Sequence, residues 1–172
     1  MAKDISKIIN PASIAVVGAT NRKGSVGLAV FSNLIYGGYQ GVLFPINPKA
    51  RSIQGVKAYP RLTDVPDPVD LVVLVVPPEA AIDTLNQAGQ VGAKGAVVIT
   101  AGFKEVGGAG VELEKRLTEA ALRANIPLVG PNCLGVINTD HDVSMNASFA
   151  TKMPQPGNVA FISQSGALCT AV

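Results

Sequence analysis

The hydrophobic residues of this chain fall into short, nearly unbroken blocks. They occupy 13–18, 42–46, 71–76, 96–100 and 127–130, with a sixth at 159–163. Successive blocks start about 25–32 residues apart, the length of one strand plus its crossover. The blocks are continuous in Val, Ile and Leu rather than alternating, which predicts strands buried on both faces of a parallel sheet. Helical spacing fills the gaps. In 26–36, Val30, Phe31 and Leu34 share a stripe that stops at Gly37-Gly38. The segment 79–91 starts behind Pro77-Pro78 and ends near Gly92. In 109–124, Leu113, Leu117, Ala120, Ala121 and Ala124 share a face. The opposite face offers Glu112 to Arg116 and Glu119 to Arg123 at i, i+4. Residues 4–9 read as a small helix laid against the sheet. The pattern predicts an α/β, Rossmann-like, doubly wound parallel sheet.

Residues 138–158 break the rhythm and read as a loop and then a linker. After them, 158–172 reads as a new strand, turn and helix without a closing cap. The expected organisation is one domain over 1–153. Residues 154–172 would then be a linker and the start of a second, truncated, flavodoxin-like domain. The alternative is that the sixth strand joins the first sheet.

Composition narrows the function classes. The 172 residues are 48% apolar and 15% charged, with 18 Gly and 12 Pro spread without a period, which excludes a disordered or collagen-like chain. No apolar run approaches the ~18 residues of a membrane span, and the N-terminus lacks the apolar core of a secretory signal. Cys133 and Cys169 have no metal-site spacing, and His141 is the single histidine. No metal and a cytoplasmic location are expected. The net charge of +2 conceals an asymmetry: residues 1–61 hold eight basic residues and one acidic, residues 62–172 six basic and eleven acidic. That distribution favours an anionic ligand held by the first third, although charges also cluster on surfaces without function. Nucleic acid is excluded, because the basic residues are few and carry no interleaved aromatics.

In an open parallel sheet, ligands bind beyond the carboxyl ends of the strands, and the unusual residues lie there. After the first strand, Gly24-Ser25-Val26-Gly27 opens a helix, with Arg22 and Lys23 beside it. Its glycines admit a bulky anion, and the N–H groups of Ser25 and the following turn are expected to face outward toward phosphate. Thr20 stands where the dinucleotide fingerprint has its second glycine. After the second strand come Asn47, Lys49 and Arg51. An NAD site places an acid there, so cations point to NADP or coenzyme A. Val76-Pro77-Pro78 forms a rigid apolar lip, suited to an adenine ring, a pantetheine arm or simply a helix start. The fourth strand runs into Thr100, Ala101 and Gly102. The fifth runs into Gly130-Pro131-Asn132-Cys133, where Asn132 offers a donor and an acceptor.

Six motifs in order carry a resemblance: Gly24-Ser-Val-Gly27, Asn47-Pro-Lys49, Val76-Pro-Pro78, Ile99-Thr-Ala-Gly-Phe103, Gly130-Pro-Asn-Cys-Leu-Gly-Val-Ile137 and Ser163-Gln-Ser-Gly166. Over nearly its whole length the chain resembles the coenzyme A-binding domain of NDP-forming acyl-CoA synthetases. This superfamily includes the succinyl-CoA synthetase α chain, and the chain looks closest to the ADP-forming acetate–CoA ligase branch. The resemblance implies that Gly24, Ser25, Val26 and Gly27 hold the CoA phosphates, with Asn47 and Lys49 as neighbours. It implies that Val76, Pro77 and Pro78 line the nucleotide, that Thr100, Ala101 and Gly102 line the thiol-bearing arm, and that Asn132 faces the active site. Ser163, Ser165 and Gly166 would open a helix that cradles a phosphoryl group. The parent reaction would interconvert acyl-CoA, ADP and phosphate with acid, ATP and CoA, through an acyl phosphate and a phosphohistidine. ADP, ATP and Mg would be handled by an ATP-grasp β subunit or fused domain, in an oligomeric enzyme.

The family's phosphorylated histidine lies deep in its second domain, and His141 matches no family motif. The chain alone is therefore expected to bind CoA and to contain no catalytic residue. Two other readings stay open: a CoA-sensing module linked to an acetyltransferase, and an NADP-binding oxidoreductase domain. A Ser165 nucleophile elbow is disfavoured by Ser163 and Ala167, where G-x-S-x-G needs glycines. Asp140, His141 and Asp142 are too few to hold a metal.

Overall fold

The computed structural model describes residues 4–171. Strands β1 (Ser13–Val17) and β2 (Val42–Ile46) come first, then β3 (Ser52–Ile53) and β4 (Val56–Lys57), which pair as a small antiparallel ribbon. Strands β5 (Leu71–Leu74), β6 (Gly95–Val98) and β7 (Leu128–Val129) follow. The main sheet is parallel with order β2-β1-β5-β6-β7. Beyond β2, a parallel bridge between Ile46 and Tyr59 extends it by one residue, where the Rossmann order places its third strand. The apolar blocks of β1, β5 and β6 are buried along their whole length, as strands covered on both faces require, whereas β2 starts exposed at Val42 and β7 is half-buried.

Helices α1 (Ser6–Ile9) and α2 (Val26–Tyr36) cover one face, α3 (Pro78–Gln90) and α4 (Ala109–Arg123) the other. Val16, Val73 and Val97 pack with Val30, Phe31 and Leu34 of α2. Val72, Leu74 and Val98 pack with Leu85 of α3 and Leu117 of α4. The α2 bounds match the predicted 26–36. Arg116 departs from expectation. Its guanidinium makes a bidentate pair with Glu79 of α3, at 2.9 and 2.8 Å, rather than the expected pair with Glu112. The fork geometry favours the carboxylate across the α3–α4 seam. Arg123 keeps Glu119, at 3.9 Å.

Two further corrections concern the C-terminal third. The expected loop and linker over 138–158 is in part regular structure. Strands β8 (Gly135–Asn138) and β9 (Met145–Ser148) form an antiparallel hairpin that lies over α2, and Met145 and Ala147 enter the core. His141 sits exposed in its turn. Residues 159–163 form no strand. Val159 and Ile162 are 91% and 96% exposed, and an apolar run becomes a strand only where a neighbour satisfies its backbone. Helix α5 (Gly166–Ala171) does follow.

The amino edge of the sheet is fastened by Asp70. Its Oδ2 accepts the Ala12 N–H at 2.8 Å and Lys7 Nζ at 3.0 Å. Desolvation works to raise the carboxyl pKa. The Ala12 N–H bond, with the charges of Lys7 and Lys94, outweighs it and holds Asp70 below the usual carboxylate range. A depressed folded pKa gives stability that is complete above the unfolded value of about 3.9 and is lost as pH falls through the folded one. Asp70→Asn should therefore cost roughly 1 kcal/mol at pH 7 and flatten the decline in urea midpoint below about pH 4. Urea melts from pH 3 to 7 would reveal this; parallel curves for the two proteins would contradict it.

Candidate functional site

The two glycines that join β1 to α2 leave no room for side chains. Gly18 has φ +95°, and a Cβ there would strike the Val75 carbonyl oxygen. A Cβ on Gly27 would strike the Gly18 carbonyl oxygen. These contacts draw the first turn of α2 against the carboxyl ends of β1 and β5, where the strand order reverses. Gly24 is different. It has φ +74° and open space around it, so its backbone conformation alone asks for glycine.

Ser25 caps α2. Its Oγ accepts the Leu28 N–H at 3.3 Å and donates to the Arg22 carbonyl at 2.7 Å. The Ser25 N–H does not face outward as expected, because it donates to the Arg22 carbonyl at 3.3 Å. The outward donors begin one residue later. The N–H groups of Val26 and Gly27 have no acceptor among the described residues, as the first turn of a helix dictates.

The loops after β1 and β2 leave the same edge side by side. Asn47 ties them together. Its Nδ2 donates to the Ala19 carbonyl at 2.8 Å, and its Oδ1 accepts the N–H groups of Lys49 and Ala50 at 2.9 and 3.2 Å. Asn47 is thus spent on shaping the loop. The side chains of Arg22, Lys23, Lys49 and Arg51 are exposed, and none has an ion pair or hydrogen bond among the described residues. Elsewhere on the surface Lys7, Lys104, Arg116 and Arg123 face carboxylates, while the exposed Arg61, Lys94, Lys115 and Lys152 have no ion pair among the described residues either.

Two concavities flank the first turn of α2. A groove of about 430 Å³ runs along Gly24, Ser25, Val26 and Ser32. A cleft of about 310 Å³ lies over the ends of β5, β6 and β7. The cleft brings together the predicted Val26, Thr100, Ala101, Asn132 and Gly166. The Thr100 hydroxyl is anchored to the Val76 carbonyl at 2.7 Å. Asn132 stands at φ +54° with its N–H on the Thr100 carbonyl at 2.9 Å, and its carboxamide has no partner among the described residues. Cys133 forms the floor. Burial pushes its thiol pKa up, and its Sγ donates to the Val98 carbonyl at 3.3 Å, the mark of a packed thiol rather than a reactive one.

Asn47, Lys49, Val76, Pro77, Pro78 and Gly102 line neither concavity, and neither do Ser163 and Ser165. Val76 and Pro78 instead lie against Gly18 and Gly102. The Gly102 and Phe103 N–H groups donate to the Glu105 carboxylate, and the Gly102 bond in particular lowers its pKa. Ser165 caps α5 through its Oγ, which accepts the Leu168 N–H at 3.3 Å. Sequence reasoning missed Phe149, which lines both concavities. The described residues contain no cluster of metal-ligating side chains and no helix long and apolar enough to cross a membrane.

A family described as CoA binding domain matches residues 12–139. The chain is 45% identical to the ADP-forming acetate–CoA ligase of Methanocaldococcus jannaschii, covering 98% of this chain and 23% of that protein. It is 46% identical to the α subunit of ADP-forming acetate–CoA ligase II of Pyrococcus furiosus, covering 92% of this chain and 34% of the relative. Among solved structures, it superimposes on the dinucleotide-forming acetyl-coenzyme A synthetase 1 of Ca. Korarchaeum cryptofilum, in complex with phosphate and ADP. The TM-score is 0.91 at 43% identity, over 98% of this chain and 35% of that one. The chain therefore spans about a quarter to a third of the length of these three relatives.

Proposed function

Because the chain belongs to the CoA-binding-domain family, we propose that it binds coenzyme A across the carboxyl edge of its sheet, as the cofactor-holding part of an ADP-forming acyl-CoA synthetase. The observation that carries this is the set of four unpaired cations in two adjoining loops, beside the open first turn of α2. Adjacent unpaired cations repel one another, and a polyphosphate ligand relieves that repulsion. The N–H groups of Val26 and Gly27, framed by Gly24 and Ser25, take the pyrophosphate. Lys49 takes the ribose 3′-phosphate, on a loop whose course Asn47 sets. Val76, Pro77 and Pro78 shape the nucleotide side. Thr100, Ala101 and Gly102 flank the thiol-bearing arm, which the free carboxamide of Asn132 meets.

In the parent enzyme, acyl-CoA, ADP and phosphate would become acid, ATP and CoA through an acyl phosphate and a phosphohistidine. Other parts of that enzyme, a fused or separate ATP-grasp unit, would supply the histidine and handle ADP and Mg. Ser163, Ser165 and Gly166, at the start of α5, would steady the phosphoryl group. The assembly would be an oligomer working in the cytoplasm, and this chain would bind CoA without catalysis.

Calorimetry with CoA and dephospho-CoA tests the reading. Lys49→Ala should weaken CoA binding about tenfold and leave dephospho-CoA within about twofold. Equal loss for both would move Lys49 to the pyrophosphate. No CoA binding at millimolar concentration, or saturation by NADPH without competition from CoA, would overturn the assignment.

A further inference from the structure

Phe149 has no evident task in the fold. Met145 and Ala147, just before it on β9, already fill the core, while Phe149 stays 39% exposed. Its backbone is nevertheless held tightly. Asn33 of α2 donates from its single Nδ2 to the carbonyls on either side, Ser148 and Ala150, at 2.8 Å each. The Ser148 hydroxyl accepts the Ala150 N–H at 3.1 Å and donates to Asn146 Oδ1 at 2.6 Å. Ser148 is fully buried and Asn146 is 3% exposed. A buried polar network of this kind fixes one backbone conformation. Here the residue it presents is an aromatic ring at the boundary between the groove along α2 and the cleft over the sheet ends. The groove and cleft share only Val26 and Phe149.

We propose that Phe149, positioned by Asn33, is the wall on which the pantoyl segment of coenzyme A packs as it passes from groove to cleft. The proposal rests on the CoA reading above. With the pyrophosphate at Val26 and Gly27 and the thiol arm beside Thr100 and Asn132, the intervening segment must cross the Val26–Phe149 boundary. In CoA that segment is the pantoyl unit, with its branched, apolar dimethyl carbon. An exposed ring held rigidly suits it, since the ordering cost is already met before binding.

Calorimetry on this chain with CoA and with its nucleotide fragment, adenosine 3′,5′-bisphosphate, separates the possibilities. Phe149→Ala should weaken CoA roughly tenfold, the scale of losing one packed aromatic anchor, and leave the fragment within about twofold. Phe149→Leu should recover part of the loss. Asn33→Ala, which frees both flanking carbonyls, should show the same split between CoA and fragment. The proposal fails if Phe149→Ala binds CoA like the unsubstituted chain, or if CoA and fragment weaken equally. An unsubstituted chain that binds no CoA overturns the underlying reading instead, and this proposal with it.

Discussion

Gly27→Ala should lower the melting temperature by about 5–10 °C, a loss of roughly 3 kcal/mol for a domain of this size. The new Cβ would run into the Gly18 carbonyl oxygen and lie 3.1 Å from the carbonyl carbon. Neither side can yield cheaply. Gly27 is buried in the first turn of α2. Gly18 cannot retreat, because the Val75 carbonyl already closes the space behind it. The helix propensity of alanine returns at most about 1 kcal/mol. Gly24→Ala is the control. It meets no atom within 4 Å and carries only the strain of φ +74°, about 1–2 kcal/mol. Thermal melts followed by circular dichroism decide the matter. A Gly27→Ala shift under about 2 °C, or one no larger than that of Gly24→Ala, would mean that the β1–α2 junction is looser than its geometry indicates.

That junction was partly legible in the sequence, because its glycines and two cations are local signals, while the capping by Ser25 and the closure of Gly27 on the Gly18 carbonyl emerged only from the structure. The strands buried on both faces were legible for the same reason: an unbroken apolar run reports its own burial. The hairpin over α2 was not. Its buried Asn146 and Ser148 are polar, and they are tolerated in the interior only because Ser148 bonds Asn146 and the Ala150 N–H. Periodicity reads such residues as loop. The residues 159–163 err in the opposite direction, since their apolar spelling predicts a strand but no neighbour pairs with them among the described residues. Phe149 reaches the site through Asn33 bonds to residues 115 and 117 positions away. No pattern local to either segment encodes that meeting. Lys49 and Asn47 show the same division on a smaller scale. Their presence after the second strand was legible, while the role of Asn47 as a brace became clear only once its three bonds were seen.

Ser25→Asp should abolish most CoA binding while leaving the fold intact. Aspartate is as good an N-cap as serine, and its carboxylate can accept the Leu28 N–H in place of Oγ. A negative charge at a helix N-terminus gains about 0.3–1 kcal/mol. Loss of the hydroxyl's bond to the Arg22 carbonyl offsets part of that gain, so the melting temperature should move by only about 2 °C. The ligand meets a different situation. A carboxylate about 4 Å from a phosphate, at the effective dielectric of a protein surface, costs about 4 kcal/mol, or some 10³ in affinity. Salt screening and Arg22 and Lys23 reduce this, and a loss of about 100-fold is expected at physiological ionic strength. Ser25→Ala provides the contrast. It removes the cap and should cost about 1 kcal/mol of stability while weakening CoA only a few-fold. Stability and affinity thus move in opposite order in the two variants, so paired melts and calorimetry separate a charge effect at the phosphate site from damage to the helix. CoA binding by Ser25→Asp within about threefold of the unsubstituted chain would remove the pyrophosphate from the first turn of α2.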